Sequence, residues 1–467
     1  MQITRLLKHH TSLPRYDVHN ALSQVFELGN VVTTRGALSA HNFAAKENIC
    51  SLKGNTTCCS EVLGATSGNP YRSPFDATCV RLLQDAGANL LAKTNMDEFG
   101  MGSFTTNSPY GATMNPHDPL RTAGGSSGGS AASLALPQTH SLSFALGTDT
   151  GGSVRMPASY CGVYGFKPTY GRVSRFGVVP YANSLDTVGI LASLHLGPDM
   201  IQQVLKTLDV YDAQDPTSML PETRHKVEKH YKRVDRPPRI GVPAEYNIQE
   251  LSPEVLTAWR KCLDRLATKG SDLVPISLPL TKTALAAYYI LAPSEVSSNL
   301  QKYSGVFYGS RTEIDRLDGR LYASARSLFG DEVKRRILMG CLSLSSERFD
   351  NYYLQAQRVR RLIVKEFNTV FRAAHPLLPS GQGDDQVDYI VTPTAPTVAP
   401  LLSEVNCMSS AESHAADVFT VPASMAGLPS LSVPFVEDQS GMPIGVQLIG
   451  QFGDDYGVLD LSRKLQI

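Results

Sequence analysis

Two short clusters of glycine and serine carry the residue types from which a covalent catalyst can be built. Residues 124–130 read GGSSGGS and residues 151–153 read GGS, with the apolar run LSFAL at 142–146 between them. That run predicts a buried strand, so the second cluster falls at a strand end, where α/β proteins place their sites. Glycine lets backbone approach a ligand closely and present bare N–H groups. A flexible linker would also be rich in glycine and serine, but it would not be threaded with Leu, Phe, Met and Cys on both sides. Neither GxxxxGK[ST] nor GxGxxG occurs in this stretch, which argues against a phosphate loop. What remains is a hydroxyl nucleophile with backbone donors beside it.

The stretch GGSSGGSA followed by GTDTGGSVRMPASYCGVYGFKPT resembles the amidase signature, whose enzymes cleave carboxamides with a Lys-Ser-Ser triad. Carried over by position, the resemblance implies Ser153 as nucleophile, Ser126 as bridging serine after a cis peptide bond, and Lys46 of AAKENI as the lysine. The chemistry is coherent: a serine hydroxyl needs a base to take its proton, and lysine serves as one only when burial keeps it neutral. The apolar flank FAA at 43–45 suits a buried stem, although Lys46 taken alone reads as a surface lysine. Backbone N–H groups of Thr150, Gly151, Gly152 and Ser153 are expected to form the oxyanion hole. Asp149 and Arg155 flank this turn and are expected to pair across it, the alternative being an exposed ion pair of little consequence. Ser126 and Ser153 lie further apart in sequence than in most members, which predicts a small insertion near 137–141 in a surface loop.

Four further stretches, GRVSRFGVVPYANSLDTVG, YYILAPSEVSSNLQKYSG, DEVKRRILMG and FTVPASMAGLPSLSVP, resemble one branch of that family, the A subunits of glutamyl-tRNA(Gln) amidotransferases. The resemblance spans most of residues 40–460 and implies a glutaminase that holds free glutamine through Tyr288, Arg336 and Asp417. Arg336 would grip the α-carboxylate, Asp417 would pair with the α-ammonium, and Tyr288 would offer its hydroxyl. Read one at a time, Arg336 is a solvated helix face, Tyr288 a core residue and Asp417 a helix cap. The branch also implies no cofactor on this chain, with ATP and Mg2+ at a tRNA-binding kinase partner (the B subunit), a third small subunit, and Glu-tRNA(Gln) reached through the complex. No nucleotide motif is present, in keeping with that division. Lys46 comes early, so the N-terminal helical segment with which bacterial members engage the small subunit is expected to be shortened. That points to a mitochondrial member with a different third partner. The rivals are a stand-alone amidase of other carboxamides with an apolar acyl pocket, and a non-catalytic scaffold.

The remaining chain must position these groups. Its 467 residues are 42% hydrophobic and 18% charged, enough for a large core and unlike a disordered or fibrous chain. With 43 basic and 43 acidic residues the net charge cancels, which excludes a basic nucleic-acid module but not an RNA held by another subunit. No apolar run reaches 18 residues, so no direct membrane insertion is expected. The eight cysteines are scattered without CxxC pairs and are expected as buried free thiols, Cys58 and Cys59 included. Residues 1–15, MQITRLLKHHTSLPR, hold Arg5, Lys8 and Arg15 and no acid, composition that fits a transit-like segment or a surface arm. The expected division is an arm over 1–35 and one amidase domain over 36–467, with a sub-boundary at a polar linker near 221–238.

Periodicity predicts short helical structure at 22–28 and helices at 74–87, 252–270 and about 350–373. The last should face the core with Val359, Leu362, Ile363, Phe367, Val370 and Phe371. Strands are expected at 43–45, 89–92, 240–242, 387–394, 430–433 and 444–449. Such alternation argues for an α/β fold with helices on both faces of a sheet, and the resemblance implies one large mixed sheet.

Overall fold

A computed structural model describes residues 17, 19–26, 36–136, 141–231, 236–306, 308–310, 323–378 and 386–466. Residues 137–140 of the expected insertion and most of the N-terminal arm lie outside the described residues. Strands β1 (Leu22–Val25), β2 (Asn42–Lys46), β3 (Asn89–Thr94), β4 (Leu142–Asp149), β5 (Tyr164–Lys167), β6 (Thr187–Ala192), β7 (Arg239–Pro243), β8 (Asp272–Ile276), β9 (Tyr389–Pro393), β10 (Ser430–Glu437) and β11 (Pro443–Gly450) form one sheet. Their order is β1-β3-β2-β4-β6-β5-β10-β11-β9-β7-β8. β2 runs parallel to both β3 and β4, whereas β4 is antiparallel to β6, so the sheet is mixed.

The longer helices are α1 (Thr78–Asp85), α2 (Gly128–Ala135), α3 (Arg155–Cys161), α4 (Gly197–Leu208), α5 (Pro221–His230), α6 (Pro253–Thr268), α7 (Thr281–Asn299), α8 (Asp331–Ser343), α9 (Tyr353–Val370) and α10 (Asp455–Arg463). Side chains alternate across the strands, and the two faces of the sheet differ in size. One face carries Phe43, Phe144, Leu146 and Ile190 into the main core. There Phe43 and Phe144 stack at 5.3 Å across neighbouring parallel strands. Burying such a side chain contributes about 1.5–3 kcal/mol. The other face carries Ala44, Ala92, Ala145 and Leu191, against which α2 and α3 pack through Ala131, Ala132, Ala158 and Cys161. Small residues are required here because backbones nearly touch: a Cβ at Gly129 would lie 2.4 Å from the carbonyl oxygens of Ala21 and Asn95. The glycine-serine clusters are therefore packed helix starts rather than linkers.

Three expectations are corrected. Residues 22–25 form a strand, not a helix, because Leu22, Gln24 and Val25 pair with the edge of β3. Tertiary pairing outweighs the weak helical period of so short a segment. The polar stretch expected as a linker holds helix α5, opened by Pro221 with Glu222 in the first turn and Lys229 and His230 in the last. Only Val227 of α5 is buried, so its polar composition reflects a solvated helix. In α9, Ile363 and Phe367 are buried while Leu362 is 46% exposed, the apolar stripe being narrower than the pattern suggested. The other end of the core is as expected at α6, where Ser252 caps the helix by accepting from the Val255 N–H and Pro253 follows.

All eight cysteines are free, but Cys341 and Cys407 are exposed rather than buried. Among the described residues no helix is long and apolar enough to cross a membrane.

Candidate functional site

The neighbouring parallel strands β2 and β4 point the same way, β2 ending at Lys46 and β4 running slightly further to Asp149. Carboxyl ends of parallel strands are where a sheet leaves room for ligands. Lys46 is completely buried. Its Nζ lies 2.8 Å from Ser126 Oγ, 2.9 Å from Ser127 Oγ and 3.4 Å from the Thr148 carbonyl. Among the described residues no carboxylate is within ion-pair distance of it. Burial holds the amine below the usual lysine value, at about 8, against the opposing influence of Asp97, Asp149, Asp186 and Cys59.

The neighbours settle the directions of these hydrogen bonds. Ser127 Oγ donates to the Thr148 carbonyl at 3.3 Å, so it accepts from Lys46. In the ammonium form Nζ donates to Ser126, Ser127 and Thr148 alike; in the neutral form, with Ser127 and Thr148 accepting its two N–H groups, the lone pair is left for the Ser126 hydroxyl proton. Ser126 is buried and follows a cis peptide bond from Gly125. Ser153 is half-buried at the turn into α3, and its carbonyl accepts from the Ser127 N–H at 3.0 Å, which ties the two clusters together. Among the described residues the Ser153 hydroxyl has no hydrogen-bond partner, nor do the N–H groups of Gly151, Gly152 and Ser153.

Close approach explains both glycines of the turn. A Cβ on Gly151 would meet the Tyr288 hydroxyl at 2.8 Å, and one on Gly152 would lie 2.2 Å from Thr420 Oγ1 and 3.3 Å from Asp417 Oδ1. Asp149 and Arg155 are both wholly buried and joined through two bonds, Nε to Oδ2 at 3.0 Å and Nη2 to Oδ1 at 2.9 Å. The exposed-pair alternative is thereby excluded. Arg155 also donates to the Thr420 carbonyl, Gln447 Oε1 and Ser424 Oγ, fastening the turn to the segment that carries Asp417.

Tyr288, Arg336 and Asp417 come from α7, α8 and the segment before residue 420; Tyr288 and Asp417 lie against this turn, and Arg336 is linked to Asp417 through Tyr289. Arg336 is 4% exposed, so it is not part of a solvated face. Its Nε donates to Glu332 at 2.7 Å and its Nη1 to the Tyr181 hydroxyl at 2.8 Å. The guanidinium lies over the rings of Tyr289 and Tyr181 at 5.4 and 5.8 Å. Asp417 Oδ2 accepts from Ser103 Oγ at 2.8 Å and from the Tyr289 hydroxyl at 3.1 Å. Burial pushes its carboxyl up from the ordinary value against these bonds and Arg336, a balance that a bound cation would reverse. Arg336 and Asp417 thus share Tyr289, the one over its ring and the other on its hydroxyl, while Tyr288 and Asp417 stand beside Gly151 and Gly152.

Sequence reasoning missed Ser127, Ser103, Tyr181, Tyr289 and Asp97. Ser127 and Tyr289 carried a signal, each being adjacent to a singled-out residue of the same type, and Tyr181 stood inside the branch stretch at 171–189. Asp97 accepts the N–H groups of Thr105, Thr106 and Asn107, and burial pushes its carboxyl up to about 6.

A single mixed sheet thus gathers a buried lysine and two serines, groups suited to acyl transfer, near the ends of β2 and β4. The chain belongs to the amidase family, whose profile, described as Amidase, matches residues 3–459. It is similar to the A subunit of the mitochondrial glutamyl-tRNA(Gln) amidotransferase of Coccidioides posadasii, 48% identical over 456 residues that cover 92% of this chain and 89% of the relative. The protein of the same name from Fusarium vanettenii is 48% identical over 474 residues, 95% of this chain and 90% of the relative. Among solved structures, the A subunit of glutamyl-tRNA(Gln) amidotransferase from Thermotoga maritima matches with a TM-score of 0.76 at 33% identity, covering 99% of this chain and 90% of that one.

Proposed function

We propose that this chain is the glutamine-hydrolysing subunit of a mitochondrial glutamyl-tRNA(Gln) amidotransferase. The observation that carries the reading is a fully buried lysine, without a carboxylate partner among the described residues, bonded to the Ser126 hydroxyl. The neutral Lys46 amine accepts the proton of Ser126 as Ser126 takes that of Ser153. The Ser153 oxygen adds to the side-chain carboxamide carbon of glutamine, and the N–H groups of Thr150, Gly151 and Gly152 receive the oxyanion. Collapse breaks the C–N bond while the proton returns through Ser126 to the leaving nitrogen. Ammonia departs, leaving a γ-glutamyl ester on Ser153. Water, deprotonated along the same relay, cleaves the ester and releases glutamate.

Arg336 and Asp417 support glutamine over an apolar amide: Arg336 is paired only through Nε with Glu332 and Asp417 is bonded only through Oδ2 among the described residues, so an apolar ligand would leave the remaining guanidinium N–H groups and Asp417 Oδ1 unmet. The α-carboxylate goes to the Nη1/Nη2 edge of Arg336 and the α-ammonium to Asp417. The ammonia serves a tRNA-binding kinase partner, the B subunit, which activates Glu-tRNA(Gln) with ATP and Mg2+, and a third small subunit completes the complex. The names of the fungal relatives support the mitochondrial setting.

The test is amidation of Glu-tRNA(Gln) in a mitochondrial extract depleted of this chain and restored with wild type or Ser153→Ala. Restored wild type uses glutamine, whereas Ser153→Ala works only with added ammonium. Glutamine-dependent amidation by Ser153→Ala would overturn the reading. Efficient hydrolysis of hydrophobic amides by the chain alone, unchanged in Arg336→Ala, would favour a stand-alone amidase.

A further inference from the structure

One buried carboxylate touches both halves of the site. Asp186, immediately before β6, is 5% exposed. Its Oδ1 accepts from the Thr150 hydroxyl at 2.7 Å. Its Oδ2 accepts the N–H groups of Tyr181 at 2.8 Å and Ala182 at 3.0 Å. Thr150 opens the glycine turn, and Tyr181 is the residue whose hydroxyl accepts from Arg336 Nη1. Charged acceptors make the stronger hydrogen bonds, and here all three donors are buried residues.

The far side of the 181–186 turn is also tied down. Ser184 bonds Glu295 of α7, the helix that carries Tyr288, through its N–H at 2.9 Å and its hydroxyl at 2.5 Å. Arg360 of α9 donates to the Ser184 hydroxyl and carbonyl, both at 2.7 Å, and Asn299 donates to the Tyr181 carbonyl at 3.0 Å. The turn is therefore a rigid element with two working contacts, Tyr181 on Arg336 and Asp186 on Thr150. On the other side of the glycine turn, Thr420 holds the Gly151 carbonyl at 2.6 Å.

We infer that Asp186 is a positioning residue that sets the oxyanion-binding turn and the substrate-gripping arginine relative to each other, acting through Thr150 on one oxygen and Tyr181 on the other. The inference rests on the glutaminase reading above. It follows that the two kinetic parameters separate by arm. Thr150 serves the developing oxyanion, so its loss lowers kcat; Tyr181 serves Arg336, so its loss raises KM for glutamine.

The experiment measures glutaminase kinetics of the full chain within the assembled amidotransferase, with Tm recorded for each variant. Thr150→Val lowers kcat by about tenfold and moves KM much less, while Tyr181→Phe raises KM by about tenfold and moves kcat much less. Asp186→Ala does both. The double variant Asp186→Ala/Thr150→Val has the kcat of Asp186→Ala alone, because the hydroxyl has already lost its anchor. Asp186→Asn keeps the shape and the fold while weakening the bonds, and it shifts kcat and KM in the same directions by a smaller factor. A general loss of folded enzyme would lower kcat and leave KM where it was. The inference is overturned if a folded Asp186 variant leaves KM unmoved, or if the double variant multiplies the two kcat losses. Ser153→Ala, run alongside, separates the two readings: residual glutaminase there sinks the proposed function, whereas its loss with an unmoved KM in the Asp186 variants sinks only this one.

Discussion

Arg155 and Arg336 are two buried arginines beside the same glycine turn, and they differ in how many of their N–H groups the protein satisfies. Arg155 uses all five: Nε and Nη2 on Asp149, Nη2 again on Ser424, and Nη1 on Thr420 and Gln447. Arg336 spends Nε on Glu332 and one Nη1 proton on Tyr181, and among the described residues its Nη2 has no partner. A buried guanidinium with every donor met is a tie between segments. One with donors left over is unfavourable as it stands, and it is where an anion from outside gains most. The same residue type therefore serves rigidity in one place and recognition in the other, both beside one turn.

The largest effect expected is that of Arg155→Ala, which strands Asp149 in the interior and should cost about 3–5 kcal/mol of stability, read as a collapse of Tm and of soluble yield. A variant that stays native and active would erase the distinction. Lys46→Met should behave in the opposite way, losing about a thousandfold in kcat without a fall in Tm at pH 7. The reason is the sign of the linkage. The folded amine titrates near 8 and the unfolded one near the ordinary lysine value of 10.5. Between these the unfolded state binds more protons, so stability rises with pH, and at pH 7 the buried lysine is a penalty that methionine removes.

Arg336→Ala should raise KM for glutamine by about a hundredfold with little change in Tm, the reverse of Arg155→Ala, as calorimetry and steady-state kinetics on the same preparations will show. Smaller again is Ser127→Ala, which frees a Lys46 N–H and lets the amine re-orient; kcat should fall about tenfold. The smallest is a matter of pH. Because the working form of Lys46 is the neutral amine, kcat/KM should rise with pH and reach half its plateau near pH 8. Removing the charge that opposes burial most by Asp97→Asn should move that midpoint to lower pH, and a shift upward would show that another group governs the limb.

Elements with a strong local signature were legible in the sequence. The helix after Ser252 has its cap, its proline and its apolar stripe, and the strands near 89, 240, 390, 430 and 444 stand between turn residues. The segment at 22–25 was not, because four residues carry too little periodicity and the partner that makes them a strand is β3, far along the chain. Helix α5 was hidden for a different reason: a helix with one buried residue has almost no apolar period to read.

For the candidate site, the sequence by itself determined the chemical inventory: which serines, which lysine, which glycines, and the order of the motifs that hold them. These are local features, set by residue type and spacing. Only the tertiary structure decided which hydroxyl meets the Lys46 lone pair, because that depends on Ser127 turning its own proton toward Thr148. Likewise Asp186, Tyr181, Ser103 and Tyr289 acquire meaning only when distant segments bring an arginine, a carboxylate and a glycine turn within bonding distance. Burial and hydrogen-bond direction are properties of neighbours, and neighbours across a sheet of eleven strands are not written in any one stretch of chain.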